Sequence, residues 1–313
     1  MSYKQLTYEQ RYLIYAVLKM GFSQAKIAEL VGVHKSTISR EVRRNQGQRG
    51  YRPKQAHHKA LKRRNKAKPR ISKAEWQIID DRLKEDWSPE QISNKLKRLY
   101  GIQVSHEWIY HHVQEDKQQG GKLYEHLRRP KKYRKYTGNG DQRGQIPNRT
   151  SIEERPEIVE RRERIGDWEA DTIIGRGHQG AVVTLVERKS RLLRMGLVKN
   201  RTKDSVKETM IRLLCGFPVH TITCDNGKEF AAHEEIAEAL NAAIYFAHPY
   251  ASWERGTNEN TNGLIRQYIP KGTNFKELDM EDIRFIENRL NLRPRKCIDF
   301  DLPMVFLKNH CCT

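Results

Sequence analysis

Three carboxylates, Asp171, Asp225 and Glu259, constrain what this 313-residue chain can fold into more than any other feature. Asp171 closes the run Gly166-Asp167-Trp168-Glu169-Ala170-Asp171 and leads into the apolar Thr172-Ile173-Ile174. Asp225 ends the β-rich run Val219-His220-Thr221-Ile222-Thr223-Cys224, and Asn226-Gly227 make the turn behind it. Glu259 lies in Gly256-Thr257-Asn258-Glu259-Asn260-Thr261-Asn262-Gly263, which reads as the opening of a helix. Two acids on strand ends and one on a later helix converge only if the segment closes into one compact α/β unit. Convergent carboxylates are hard oxygen donors, the kind Mg²⁺ takes.

The pattern around these acids predicts strands over Asp167–Ile174, 181–186, 192–198, 219–224 and 242–247, the second and third forming a hairpin across 187–191. Thr202 caps a helix whose inner stripe is Val206, Met210, Leu213 and Leu214; a second helix covers 231–240, and the Glu259 helix follows. Three strands, helix, strand, helix, strand, helix is the order of the ribonuclease-H-like α/β fold with a mixed five-stranded sheet. Rival acids are present. Asp167 and Glu169 share a strand face with Asp171 because side chains alternate, but only Asp171 leads into the apolar continuation. Glu254 falls in the loop beside Trp253, Glu229 reads as a surface or backbone-capping acid, and Asn226 and Gly227 as turn residues.

Charge divides the chain. Residues 1–150 hold 34 Lys and Arg against 14 Asp and Glu, an excess of +20, whereas residues 151–313 hold 25 of each. The front half is therefore built to meet a polyanion. Its basic segments lack the broad apolar face that a membrane surface needs, so nucleic acid is the expected partner. No apolar run approaches the ~18 residues of a membrane helix, and the N-terminus has no signal-peptide core. Five cysteines without C-x-x-C spacing argue against a disulfide framework or a zinc site and suit a cytoplasmic protein.

Within the front half, residues 1–47 read as a helix-turn-helix domain. Thr7-Tyr8-Glu9-Gln10 is a capping box, with Leu13, Ile14, Val17 and Leu18 inward. A second helix carries Ile27, Ala28, Leu30 and Val31. After Gly32-Val33-His34 comes a third in which Ile38 and Val42 anchor the core. That leaves Lys35, Ser36, Thr37, Ser39, Arg40, Arg43 and Arg44 for DNA; the plainer alternative is a three-helix domain with a solvated basic face. Residues 48–70 form a basic arm, a helix over 56–66 or an unstructured strand, whose Arg63 and Arg64 would follow phosphates. Residues 71–119 predict a second, less basic helix-turn-helix. Its markers are Ile78, Ile79 and Leu83, the box Ser88-Pro89-Glu90-Gln91, the inner stripe Ile92, Leu96, Leu99 and Tyr100, and a helix from Ser105 with Ile109 and Val113 inward. His106, His111 and His112 read as surface or groove residues rather than metal ligands. Residues 120–155 read as a basic, polar, mobile linker, and 156–313 as the catalytic core with a C-terminal helix.

Nearly the whole chain resembles the bacterial IS30 family of insertion-sequence transposases, within the DDE transposase and retroviral integrase superfamily. The segments that carry the resemblance are the helix pair from Ile27-Ala28 through Thr37-Ile38-Ser39-Arg40-Glu41, and Gly166 to Asp171 with Gly175. They continue with Cys224-Asp225-Asn226-Gly227-Lys228-Glu229-Phe230 and Gly256 through Tyr268. The last is the most specific, and the 33 residues between Asp225 and Glu259 are similar to the family's spacing. His34 stands where a Ser cap is usual, the stretch 298–303 departs from the pattern, and Cys311-Cys312-Thr313 reads as a truncated or divergent end. The resemblance implies catalysis by Asp171, Asp225 and Glu259 and a homo-oligomer on terminal inverted repeats and target DNA, at the nucleoid and without small-molecule substrate.

The chemistry is consistent with that. Cutting and joining a phosphodiester needs an activated nucleophile, a stabilised leaving oxygen and neutralised phosphate charge, which two Mg²⁺ ions ~4 Å apart supply; Mn²⁺ can substitute. Asp171 is the natural bridging ligand, with Asp225 on one ion and Glu259 on the other. Without metal the acids repel, so at least one pKa should rise. Asn258, Asn262, Arg266 and Lys271 are candidate contacts to the DNA end. A DNA-binding regulator with a decayed catalytic domain is the competing function, and a non-specific nuclease a third.

Overall fold

In a computed structural model the described residues are 5–66, 70–128, 146–249 and 251–311. The chain divides into two compact units, 1–72 and 73–313.

The first unit is helical: α1 (Tyr8–Lys19), α2 (Gln24–Val31), α3 (Lys35–Asn45) and α4 (Pro53–Lys66). Thr7 and Gln10 form the expected capping box, and Gly32 ends α2 in left-handed backbone that a glycine adopts without penalty. Ile14, Val17, Ile27, Ala28, Val31 and Ile38 make the core, which Tyr51 and Ala56 close from the α4 side. Leu13, expected inside, is 40% exposed. Its place next to Ile14 puts it at the edge of a stripe too narrow for both. Glu41 turns inward on α3, where Arg11 holds it at 2.8 Å and the Tyr51 hydroxyl donates to it at 3.0 Å. The stretch read as helix or unstructured arm is the helix α4.

The second unit begins with α5 (Lys73–Lys84), α6 (Pro89–Tyr100) and α7 (His106–Gln118). Ser88 and Gln91 form their capping box, and Ile79, Leu83, Ile92, Leu96, Ile109 and Val113 are buried. The expected inner stripe of α6 is wrong at its end, where Leu99 and Tyr100 are more than half exposed. Lys95 is buried instead, paired with Asp301 at 2.9 Å, because the α6 face is covered by the distant C-terminal segment. Asp86, in left-handed backbone, is the hub of this contact. It accepts from the Tyr268 hydroxyl at 2.6 Å and bonds His126 at 2.9 Å, and Arg289 and Arg293 stand 3.4 and 3.7 Å away. Burial alone would raise the Asp86 pKa, but these donors outweigh it and hold it low. Residues 129–145 of the linker expected to be mobile lie outside the described residues. Its described C-terminal end belongs to the core: Ile146 is buried with the sheet cluster, and Thr150 accepts from the Phe246 amide.

After the short α8 (Glu157–Arg161) come β1 (Asp167–Ile174), β2 (Ala181–Glu187), β3 (Leu193–Val198), α9 (Lys203–Leu214), β4 (Thr221–Cys224), α10 (His233–Leu240) and β5 (Ala243–Phe246). The chain then forms α11 (Gly256–Ile265), α12 (Met280–Asn291) and α13 (Pro303–Cys311). Among the described residues the strands make one mixed sheet, ordered β3-β2-β1-β4-β5. β1, β2 and β3 are antiparallel in sequence, while β4 and β5 run parallel to β1. Alternation sorts its faces. Trp168, Ala170, Val183, Leu185, Ile222 and Cys224 pack with Val206, Met210, Leu213 and Ile236 of α9 and α10. Ile173, Val182 and Val186 on the other face pack with Leu264 and Ile265 of α11 and Ile283, Ile286 and Leu290 of α12. The acids of β1 lie on this second face.

Candidate active site

Sheet register brings two of the three acids together. The parallel pairing of β1 with β4 ends at Glu169 opposite Thr223, and two residues further along stand Asp171 and Asp225. With a side-chain period of two and strands about 4.8 Å apart, both emerge on the same face just past the end of the β1–β4 pairing. Asp225 lies just past β4, where its Oδ1 accepts from the Gly227 amide at 2.9 Å. Asn226 serves the turn, donating to the Ala247 carbonyl at 2.6 Å.

Deeper on that face the rival acids are spent on structure. Asp167 is fully buried, held by Arg164 at 3.0 Å and by the Thr221 hydroxyl at 2.8 Å. Glu169, also fully buried, pairs with Arg188 at 2.7 Å and accepts the Asn258 amide at 2.8 Å. Glu254, in the turn before α11, pairs with His248 at 2.8 Å.

Asp171 and Asp225 line a cleft of about 640 Å³ together with Thr172, Arg201, Lys203, Lys228 and Glu229. Asp171 Oδ1 accepts from the Thr172 amide at 2.8 Å, and Oδ2 from the Asn262 amide group at 2.8 Å. Burial, with a smaller contribution from Asp225, pushes the Asp171 carboxyl up to about 6 against the pull of Arg255. The expected rise is present, though burial rather than mutual repulsion is its main cause. The Arg255 guanidinium reaches both acids, with Nη1 3.5 Å from Asp171 Oδ2 and Nη2 3.7 Å from Asp225 Oδ2.

Glu229 corrects the sequence reading. Rather than a surface or backbone-capping acid it is buried, accepting the Thr172 hydroxyl at 2.7 Å and the Arg201 Nε at 3.1 Å. Burial alone would raise its pKa, but Arg201 and Thr172 outweigh it and hold the carboxyl low. The short turn Lys228–Phe230 swings it inward as Phe230 enters the core. An acid next to a core aromatic was the available signal.

Helix α11 lies over this face. Arg255, immediately before its first turn, and Asn262, within the helix, both touch Asp171. Glu259 between them is exposed. Among the described residues no three His, Cys, Asp or Glu side chains are gathered to hold a metal; Asp171 and Asp225 are the assembled pair. Asn258, expected at DNA, is fully buried and accepts from the Thr184 hydroxyl at 3.3 Å. It wedges the helix onto β2 and cannot reach a ligand. Asn262 orients Asp171. Arg266 donates to the Ile269 and Pro270 carbonyls, and Lys271 is exposed.

In the first unit Lys35, Ser39, Arg40, Arg43 and Arg44 are exposed on α3, with Ser36 and Thr37 half-buried. His34 does the work of the missing serine cap, its Nδ1 accepting from the Ser36 amide at 3.2 Å. Arg63 is exposed but donates to the Arg44 carbonyl at 3.0 Å, so it buttresses the end of α3. The Arg64 side chain lies outside the described residues.

Residues 2–45 match the family model of a helix-turn-helix domain. The transposase for insertion sequence element IS4351 of Bacteroides fragilis is 47% identical over 96% of this chain and 94% of its own length. That for IS1086 of Cupriavidus metallidurans is 35% identical over 98% and 95%. The InsI transposase for IS30A of Escherichia coli is 33% identical over 95% and 82%. Among solved structures, the catalytic core domain of BIV integrase is similar at a TM-score of 0.37 and 18% identity, covering 46% of this chain and 93% of that one.

Proposed function

This chain belongs to the IS30 family of insertion-sequence transposases, and from that premise we propose that it is an active DNA transposase. On this reading it binds the terminal inverted repeats of its element and catalyses Mg²⁺-dependent strand cleavage and strand transfer. The observation that carries the proposal is the in-register pair Asp171 and Asp225 in a cleft lined also by Arg201, Lys203 and Lys228.

The donor set fits a divalent metal. Both acids offer hard oxygens and already face a common cation, the Arg255 guanidinium. The nearest cysteine, Cys224, is buried in the core cluster of the opposite face. Asp171, Asp225 and Glu259 would hold Mg²⁺ or Mn²⁺. When bound, the metal neutralises phosphate charge and lowers the pKa of the attacking oxygen.

The chain's own residues do the rest. Arg201, Lys203 and Lys228 draw the phosphate backbone into the cleft, Arg and Lys being suited to phosphate oxygens. Asn262 fixes the rotamer of Asp171 so that its carboxylate points outward. The α3 face of Lys35, Ser36, Thr37, Ser39, Arg40, Arg43 and Arg44 enters the major groove, its arginines and hydroxyls reading base edges and gripping phosphates. Joining two element ends to a target calls for a homo-oligomer on DNA. Among the described residues no helix is long and apolar enough to cross a membrane, and we place the reaction at the bacterial nucleoid.

The test is strand nicking on a duplex carrying the element end, with Mg²⁺, with Mn²⁺ and with chelator. Nicking should require either ion and vanish in Asp171→Asn while DNA binding persists. Undiminished nicking by Asp171→Asn removes the enzymatic reading. A native chain that binds the end but never nicks it is the decayed regulator.

A further inference from the structure

Arg255 has no task in the reaction as described, yet it occupies its centre. It directly precedes α11, four residues before Glu259, with 14% of its side chain exposed. Its fork spans Asp171 and Asp225, and Nη1 also donates to the Ala170 carbonyl at 3.3 Å. Its Nε is buried and has no hydrogen-bond partner.

These contacts hold the residue by charge without satisfying it. Separations of 3.5 and 3.7 Å exceed the ~2.7–2.9 Å of a well-made charge-assisted hydrogen bond. An unpartnered buried donor is a further standing cost. A guanidinium between two carboxylates also stands where a divalent cation would bind, and two cations so close repel. Arg255 and the metal therefore compete for the same oxygens.

We propose that Arg255 is a positioning residue, a resident counter-cation that holds the Asp171–Asp225 pair together in the metal-free chain and leaves it when the metal enters. The inference rests on the metal-dependent reading above. It accounts for the arrangement at α11, where Arg255 before the first turn and Asn262 within the helix face the acids while Glu259 stays exposed. With Arg255 withdrawn, Glu259 is the acid of that helix left to close on the site.

The experiment is calorimetric titration of Mg²⁺ and of Mn²⁺ into the full chain, comparing native protein with Arg255→Gln, Arg255→Lys and Asp171→Asn. Arg255→Gln should bind metal about tenfold tighter, a gain of about 1.4 kcal/mol. Arg255→Lys keeps the charge but cannot fork across two carboxylates, so it should also bind several-fold tighter than native. Metal-free melting temperatures should fall in both variants, and the rise on adding metal should grow. Unchanged or weaker affinity in Arg255→Gln overturns the proposal. So does tightening in Arg255→Gln with Arg255→Lys equal to native, which is a bulk charge effect rather than release of a bridge. Should Arg255→Gln fail to fold by circular dichroism, Arg255→Lys decides between the same outcomes. Retention of native affinity by Asp171→Asn is a separate result: it removes the metal site itself, and this inference with it.

Discussion

Two stretches of β1, one inside its pairing with β4 and one just beyond it, carry the same chemistry on the same face and use it differently. In the paired stretch Asp167 and Glu169 are sealed, each matched by an arginine and a further donor. In the stretch beyond it Asp171 opens on a cleft, shares one imperfectly seated arginine with Asp225, and has a raised pKa. The distance between the two regimes is a single pleat of the strand. A carboxylate becomes available for chemistry where the sheet stops supplying it with counter-charges. Burial marks the same divide, Asp167 and Glu169 being fully buried while Asp171 keeps 22% of its side chain exposed.

The largest effect should come from beyond the pairing. Asp225→Asn should lower Mg²⁺-dependent nicking at least about 10⁴-fold, roughly 5 kcal/mol of barrier. Adding Asp171→Asn should lower it little further, because the two act as a unit. Chemical denaturation should show both variants near native stability; a large loss would erase the contrast between the stretches.

In the paired stretch Glu169→Ala leaves Arg188 buried without its close acid, a loss of about 3–5 kcal/mol in unfolding free energy. Denaturation midpoints measure it, and a change below about 1 kcal/mol would mean that the sealed pair is no more structural than a surface one.

Next in size is a pH effect. The raised carboxyl of Asp171 favours the folded state while it is protonated. Between about pH 4 and 6 the unfolded chain ionises first and that advantage is lost. Metal-free protein should therefore lose on the order of 1–2 kcal/mol across this window, after allowance for residual solvent screening. Asp171→Asn should flatten that part of the profile. The smallest effect lies in the first unit. Arg40→Ala, a single exposed arginine on α3, should reduce the salt dependence of DNA binding by about one phosphate contact and leave nicking chemistry unchanged.

Much of this was legible along the chain because it is local. Thr7 with Gln10 and Ser88 with Gln91 announce their helices, and β1 matches its sequence-predicted bounds because apolar alternation frames it. The likeness of Asp171 and Asp225 was visible as two acids at strand ends. What stayed hidden depends on which distant segment covers a face. Leu99 and Tyr100 lie on a helical stripe that the C-terminal segment does not reach, while Lys95 is buried because Asp301 comes to it. Asn258 resembles a surface polar residue until Thr184 and Glu169 are seen beneath it. Beyond the core aromatic next to Glu229, the partners of Glu229 and Arg255 are found only once three elements converge, since no spacing rule connects residues 172, 201 and 229 or 171, 225 and 255.

The Asp86 hub has a mechanical consequence. Four side chains, from the segment after α11, from α12 and the residues behind it, and from the end of the helical segment, grip one carboxylate, so α5–α7 cannot pivot freely against the strands. On the proposed reading, a duplex held by those helices would sit at a set number of base pairs from the cleft at Asp171. The joint would then act as a calliper, and loosening it with Asp86→Ala should blur where the strand is cut before it slows the cutting.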